Sequence, residues 1–438
     1  MNLLPARACL LLSALYLAAW TQAAVAQEGK MVSLSEAGAN ALKQSQLTLP
    51  GSPAFHLKAR ITNSADPSSP YAAEIEEYWL SPQNWRRKIE SSGFSQTLIV
   101  EGSKISEQDT GDYYPLWLRN LVTAIFDPLP MHEQLDLFKG TVEVPAEADD
   151  LACLNFAVPS GVPPVRASLP YAFCFQGTRA LLQQVLTPGY KARFEDYKPF
   201  NGRMVPRRIK ADLGAGAVLM ATITALDNNL PSDRSLFTVS QPTLPGSQLR
   251  SMQIDESIAR KITVAAPDIA WPAVREGKTS GTLSVYVSVD RLGHVREVWP
   301  LASDNSELNS IARDQLMHWQ FQPYVNGGPM QMECVLTFAF TAMMGEPIPL
   351  LSNDAARRLA THVVEPHFAP GEANRGTRFS LRVRVDEHGR IASIKNISNA
   401  AAPLESAGEQ ALHQWRFRPY LRDDKPDKFD ADITFTVR

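Results

Sequence analysis

HWQFQPY, residues 318–324, returns downstream as QWRFRPY, residues 414–420. Subtracting 319 from 415 gives a spacing of 96. The same spacing carries Val289-Asp290 onto Val385-Asp386, Gly293 onto Gly389, Leu316 onto Leu412, Phe321 onto Phe417 and Pro323 onto Pro419. Two copies of one small domain therefore close the chain, and its fold can be read twice, each copy checking the other.

In the first copy Leu283, Val285, Val287 and Val289 alternate with Ser284, Tyr286 and Ser288, which predicts a strand with one apolar and one polar face. Residues 290–293, DRLG, follow as a hairpin loop in which Gly293 is free to take positive φ. Val295 and Val298 belong to the returning strand. The second copy repeats each step with Phe379, Leu381, Val383 and Val385, the loop at 386–389, then Ile391 and Ile394. Next, Leu308, Ile311, Ala312, Gln315, Leu316 and Trp319 match Leu404, Ala407, Gly408, Ala411, Leu412 and Trp415, a buried stripe at helical spacing. Pro323 and Pro419 are expected to end these helices. Leu336, Phe338 and Phe340 close the first copy and Ile433, Phe435 and Val437 the second, after one extra residue in its last loop. Each unit thus reads strand, strand, helix, strand, with Trp319, Phe321, Pro323, Trp415, Phe417 and Pro419 as its structural core.

The whole chain has 438 residues, which suggests about three domains. It is 44% hydrophobic and 20% charged with a net charge of -3, so no basic footprint for nucleic acid is present. Residues 1–26 read as a secretory signal: Arg7, an apolar run at 8–20, and Ala24-Val25-Ala26 as the cleavage site. An uncleaved anchor is the other reading, disfavoured by the shortness of the run. A periplasmic, oxidising destination follows. Cys9 leaves with the signal, and Cys153, Cys174 and Cys334 remain. Cys153 and Cys174 lie on two apolar segments joined by a Pro/Gly-rich connection at 159–170, a spacing that suits a bridge between neighbouring strands. Cys334 reads as a small buried residue.

Residues 27–248 carry period-two alternation after a short helix at 31–46. Strands are expected at 55–61, 73–80, 85–90, 94–100 and 104–108, then a helix at 114–126 stopped by Asp127-Pro128, then strands at 153–158, 171–175, 181–187, 192–197, 204–213 and 217–226. The fold class is α+β: an antiparallel half-barrel sheet with helices laid on one face, followed by two small β-β-α-β domains at 262–345 and 355–438.

No catalytic, cofactor or metal motif appears. The eight histidines form neither HExxH nor a paired metal spacing, no GxSxG elbow occurs, and Gly277-Lys278-Thr279 lacks the first glycine of a phosphate loop. The basic doublets Arg86-Arg87 and Arg207-Arg208 read as solvent faces of strands. The chain reads as a non-enzyme.

Two resemblances sharpen these expectations. The run from Gly281 through Val289-Asp290, Gly293, Leu308 and Ile311-Ala312 to Trp319-Gln320-Phe321-Gln322-Pro323, Phe338 and Phe340 resembles the carboxy-terminal domain of the energy transducer TonB, with Trp271-Pro272 where that family often has Tyr-Pro. The second copy is similar through Val385-Asp386, Gly389, Leu404, Trp415-Arg416-Phe417-Arg418-Pro419 and Phe435, but carries only Pro366 and Pro370 near the Tyr-Pro position. That resemblance implies binding of outer-membrane receptor peptides, or other envelope proteins, by strand addition at the edge formed by Ile433, Phe435 and Val437, in association with transmembrane transport. A transducer also needs a membrane helix and a long proline-rich reach. Neither is visible, so binding without transduction is expected.

Residues 50–240 resemble the lipoprotein-carrier (LolA-like) half-barrel through Trp79-Leu80-Ser81-Pro82, Trp85-Arg86, Phe194-Glu195-Asp196-Tyr197, Gly202 and Val205-Pro206-Arg207. This resemblance implies an apolar concavity able to hold a lipid or acyl chain, and with it the alternative function of a periplasmic lipid or lipoprotein carrier. The same apolar residues also describe a filled, closed core, which is the reading they favour when taken alone.

Overall fold

The computed structural model describes residues 30–63, 69–129, 141–144, 151–156, 171–176, 179–187, 190–213, 218–244, 247–368 and 374–437. The signal segment, the 159–170 connection and Pro370 lie outside these. The described residues fall into two compact units: one runs to Trp271 and includes Ser280–Thr341, the other joins Pro272–Thr279 to the chain from Ala342 onward.

The first unit is built on an open eleven-stranded sheet. In chain order its region contains β1 (Lys30–Ser33), helix α1 (Leu34–Ser45), β2 (Phe55–Asn63), β3 (Ala73–Ser81), β4 (Asn84–Ser91), β5 (Phe94–Glu101), β6 (Lys104–Asp109) and helix α2 (Leu116–Phe126). After these come β7 (Thr141–Val144), β8 (Leu151–Phe156), β9 (Tyr171–Gln176), β10 (Leu181–Thr187), β11 (Tyr190–Phe200), β12 (Arg203–Asp212) and β13 (Val218–Asp227). The sheet order is β6-β5-β4-β3-β2-β13-β12-β11-β10-β9-β8, two meanders zipped together where β2 pairs with β13, while β1 pairs with β7 apart from it. Tight connections enforce the meanders. Between β11 and β12 the chain turns through Asn201 and Gly202 at φ 47° and 75°, values an Asn-Gly pair tolerates and a β-branched pair would not.

Alternation decides the sheet's two faces. Leu57, Ala59, Ile61, Ile75, Trp79, Ile89, Phe194, Ile209, Ala221 and Ile223 all point inward and are buried. Outward stand Lys58, Arg60, Glu74 and Glu76, paired across strands as Lys58–Glu76 at 3.1 Å and Arg60–Glu74 at 3.0 Å. The inner face is covered by α1, through Ala37, Ala41 and Leu42, and by α2, through eight buried apolar residues that include Trp117, Leu121 and Phe126.

The first repeat contributes β14 (Ser251–Gln253), helix α3 (Glu256–Lys261), β15 (Thr263–Ala265), β16 (Ser280–Val289), β17 (Val295–Ser303), helix α4 (Asn309–Leu316), β18 (Gln320–Phe321), β19 (Tyr324–Val325) and β20 (Pro329–Thr341). The second contributes β21 (Leu350–Leu351), helix α5 (Asn353–Leu359), β22 (Ala360–His362), β23 (Arg378–Val385), β24 (Ile391–Asn396), helix α6 (Ala402–Leu412), β25 (Arg416–Phe417), β26 (Tyr420–Arg422), β27 (Lys425–Asp427) and β28 (Phe429–Thr436). The sheets correspond strand for strand, β14-β20-β16-β17 and β21-β28-β23-β24.

The repeated motif has a mechanical reading. Asp290 Oδ1 accepts the N–H groups of Leu292 and His294, and Asp386 Oδ1 those of His388 and Arg390, so each aspartate pins its hairpin loop. The glycine in each loop, Gly293 at φ 94° and Gly389 at φ 77°, then lies against the motif downstream. The N–H of Phe321 donates to Gly293 O and that of Phe417 to Gly389 O, both at 2.9 Å, and a Cβ at either glycine would sit 2.0 Å from the phenylalanine carbonyl oxygen. The Val-Asp…Gly and Trp-x-Phe-x-Pro signatures are thus two halves of one contact.

Three expectations need correction. Helices α4 and α6 end at Leu316 and Leu412, before the tryptophans, which follow a tight turn. Pro323 and Pro419 are exposed, not core: each stands between two short strands, where a residue without an N–H interrupts no ladder. And the first repeat is not a separate domain. Its Tyr286, Trp299 and Val335 belong to the same core as the half-barrel, so β16 is buried on both faces from Tyr286 to Val289. In the second repeat the positions equivalent to these three are Arg382, Lys395 and Asp432. There the matching face carries the ladder Arg382–Asp432 and Arg384–Asp430, at 2.6 and 2.8 Å, and β23 keeps the strict one-face alternation.

Candidate functional site

Two places have the geometry to bind something: the inner face of the large sheet and the strand edges of the repeats. On the inner face, α1 and α2 both pack against the sheet. Their C-terminal ends are tied together, because Gln46 Nε2 and Thr48 Oγ1 both donate to Asp127 Oδ1 at 2.7 Å. Beneath α2, Arg87 lies 4.0 Å over the Phe126 ring and pairs with Glu77, which is fully buried. Burial pushes the Glu77 carboxyl up, opposed by the Arg87 charge. The expected doublet Arg86-Arg87 is therefore split: Arg87 serves the inner face.

Beside α1 a cleft of about 370 Å³ opens between the helix and the β9–β10 end of the sheet. Its floor is Val32, Ala37 and Phe175, all members of the main core, and its rim holds Lys30, Lys43 and Arg179 with Glu36 as the one acidic group. A second cleft, about 190 Å³, lies on the outer face among ion-paired side chains and offers no apolar floor of comparable extent.

The N-terminal end of α2 is held by the first repeat. Pro115 at its N-cap provides no side-chain acceptor. Glu297 of β17 supplies one instead: its Oε1 accepts the Leu116 N–H at 2.6 Å and the Tyr113 hydroxyl at 2.8 Å. Gln331 of β20 clamps the preceding peptide from both sides, with the Tyr114 N–H donating to Oε1 at 2.9 Å and Nε2 donating to Tyr114 O at 3.1 Å. One turn into the helix, Arg119 pairs with Glu333 of β20, which also accepts from the Tyr286 hydroxyl. Arg291 Nε donates to Asp112 Oδ1 at 2.7 Å. Burial pushes the Glu297 carboxyl up to about 7, against the hydrogen bonds from Tyr113 and Leu116 and the Arg119 charge.

The expected strand-addition edge is already occupied. Ile433, Phe435 and Val437 are buried at 0%, 2% and 5% exposure, and beside them β21 pairs in parallel with Asp430 and Ala431 of β28. Beyond β21, the Thr434 N–H donates to Asn353 Oδ1 at 3.1 Å, and Arg357 donates to Thr434 O at 3.3 Å. The first repeat uses the same device: β14 lies parallel to β20, the Thr337 N–H donates to Glu256 Oε1 at 3.1 Å, and Arg260 donates to Thr337 O at 2.8 Å. A short helix thus presents one acceptor and one donor to the strand, standing in for a neighbouring backbone. In the second repeat the outer side of β24 pairs with no strand among the described residues.

Of the remaining sequence-predicted residues, Cys153 and Cys174 are register partners in β8 and β9 joined by a disulfide, and Cys334 is buried and free. Trp319 and Trp415 sit between helix and sheet at 7% and 0% exposure, each edge-on to the closing-strand phenylalanine, Phe338 or Phe435. Phe321 and Phe417 are buried beside them. Glu297, Gln331, Glu333 and Arg119 were not singled out from sequence. The available signal lay in comparing the repeats, where Glu297 stands against Ser393 and Tyr286 against Arg382.

No family model matches the chain. No curated protein matches it either. Among solved structures it is similar to a LolA superfamily protein from Nitrosomonas europaea, at 14% identity over 48% of this chain and 98% of that one with a TM-score of 0.28. It is also similar to a DUF1329 family protein from Desulfovibrio piger, at 9% identity over 47% and 98% with a TM-score of 0.31.

Proposed function

We propose that the protein is a non-enzymatic periplasmic carrier whose half-barrel takes an amphiphile, an acyl chain with an anionic head. One observation carries this reading: the cleft beside α1 has an apolar floor continuous with the inner-face core and a rim of three cations to one anion. A tail seated on Val32, Ala37 and Phe175 leaves water while its head stays at the rim near Lys43 and Arg179. The signal pattern at residues 1–26 supports the compartment. Native mass spectrometry of the full-length secreted protein, with titration of a dansyl-labelled undecanoic acid, tests it. A co-purifying or titratable acyl ligand, lost in Phe175→Glu, is expected; a protein that comes out empty and binds no probe at millimolar concentration overturns it.

A second reading is favoured by the outer edge of β24, which is open where that of β28 is capped. A TonB-like, strand-adding role would use that edge, recognising a receptor or envelope-protein peptide through main-chain hydrogen bonds. NMR titration with receptor amino-terminal peptides discriminates: shifts confined to residues 391–396 support it, and none at millimolar peptide removes it.

A further inference from the structure

We propose that the first repeat is a clasp on helix α2, and that the Glu297 side chain, by accepting the Leu116 N–H and the Tyr113 hydroxyl, holds the clasp shut over the inner face of the half-barrel. This rests on the carrier reading, and it adds a control to that site. The cleft beside α1 reaches only the β9–β10 end of the sheet, whereas the inner face at β4 lies under α2, where Phe126 covers Arg87. A ligand that extends along the face has to lift α2. At its C-terminal end the helix is tied to its own domain through Asp127. At its N-terminal end Trp117 and the preceding Tyr114 pack against Tyr71 and Phe94 of its own domain, while the side chains of Glu297, Gln331 and Glu333 that bond it come from the repeat.

Every group facing Glu297 shapes how it responds to pH. From the α2 side these are the Tyr113 hydroxyl and the Leu116 and Trp117 N–H groups, all donors, and Arg119, whose charge is engaged by Glu333. From the connection before β3, Tyr71 has its ionisation raised first by burial and then by the nearby Glu297 charge, and eased by Arg313 of α4. On the repeat, Arg296 covers the Tyr113 ring at 5.5 Å but its guanidinium is paired to Asp290 at 3.3 Å. Among the described residues no ion pair joins a cation to Glu297, and removal from water dominates. The neutral acid accepts the Leu116 N–H without the desolvation of a charge. The carboxylate makes the same bond while buried, and is better placed in water with the clasp open.

The second repeat is the internal control. It has Ser393 where the first has Glu297 and charged residues where the first has Tyr286 and Trp299, so the clasp face belongs to one copy alone.

Hydrogen exchange of the full-length protein at pH 6 and pH 8, corrected for intrinsic rates, tests the clasp without any ligand. Protection of the amides at 113–120 is expected to fall about tenfold across that interval in the native protein, following the proton linkage of one group. It should stay level in Glu297→Gln, which keeps the acceptor and loses the charge. Gln331→Ala, which removes only neutral hydrogen bonds, should lower protection at both pH values and retain the tenfold step. A level profile in the native protein, or an undiminished step in Glu297→Gln, overturns the clasp. Stopped-flow loading of dansyl-labelled undecanoic acid separates the two proposals: faster loading at pH 8 than at pH 6, abolished in Glu297→Gln, supports both. The exchange step without any probe binding upholds the clasp and removes the carrier.

Discussion

Arg357 donates to the carbonyl oxygen of Thr434 as Arg260, one repeat earlier, donates to that of Thr337, and in both repeats the same helix supplies an acceptor for the threonine N–H. The arginines also lie over aromatic rings, Arg260 at 5.1 Å from Phe338 and Arg357 at 5.0 Å from Trp415. Two short helices thus act as edge covers, each anchored by a cation over a ring.

Removing such a cover should expose a templating edge. Asn353→Ala with Arg357→Ala leaves both backbone groups of Thr434 without their partners, which costs about 1 to 3 kcal/mol if they stay dry. The expected result is a lower melting temperature and concentration-dependent self-association in sedimentation velocity. A variant that remains monodisperse with unchanged stability would show that the cover is incidental.

The duplicated domain was legible because its determinants are local and occur twice. A strand of period two, Asp-x-x-Gly, a helical stripe and Trp-x-Phe-x-Pro are each readable within a few residues, and the half-barrel strands followed from the same alternation. What was not legible is the partner of each surface. Tyr286 and Ser288 read as a polar face, and only the fold brings α2 against them. Pro323 read as core from its place in a motif, although a proline between two short strands is set by turn geometry. The occupied edge of β28 was hidden for a related reason: its covers, Asn353 and Arg357, lie some eighty residues upstream and resemble any polar helix face.

The tryptophans should separate packing from hydrogen bonding. Trp415 Nε1 donates to Val364 O at 2.8 Å, whereas Trp319 Nε1 is buried with no acceptor among the described residues. Trp415→Ala should cost about 3 to 5 kcal/mol in urea unfolding. Trp415→Phe should cost about 1 kcal/mol more than Trp319→Phe, because only the first substitution strands a carbonyl. Equal costs for the two phenylalanine variants would contradict this assignment.

The cysteines should divide into one bridge and one silent thiol. The Cys153–Cys174 disulfide spans a separation of 21 residues, so reduction should cost about 3 kcal/mol in the chain-entropy account. Burial pushes the Cys334 thiol up to about 12. In Ellman's assay at pH 8 the folded protein should release almost no chromophore. Denaturation without reductant should then reveal the Cys334 thiol; fast labelling of the native state would place Cys334 at a surface instead.

The buried acid at the clasp should leave a mark on global stability with a definite sign. The Glu297 carboxyl titrates near 7 when folded and near the ordinary 4.5 when unfolded, so the folded state binds the proton more tightly. Its contribution is fully present below pH 4.5, declines from there, and is gone above pH 7, the reverse of the usual salt-bridged carboxylate. A shift of that size corresponds to about 3 kcal/mol at most. Glu297→Gln, which has no charge to desolvate, should therefore gain on the native protein as pH rises. Urea unfolding of both proteins at pH 5 and pH 8 gives the difference directly: the gap should move in favour of the glutamine variant by about 2 to 3 kcal/mol. A gap that stays constant, or moves the other way, would mean that Glu297 is held charged by Arg119 and that the joint is an ordinary ion-paired interface.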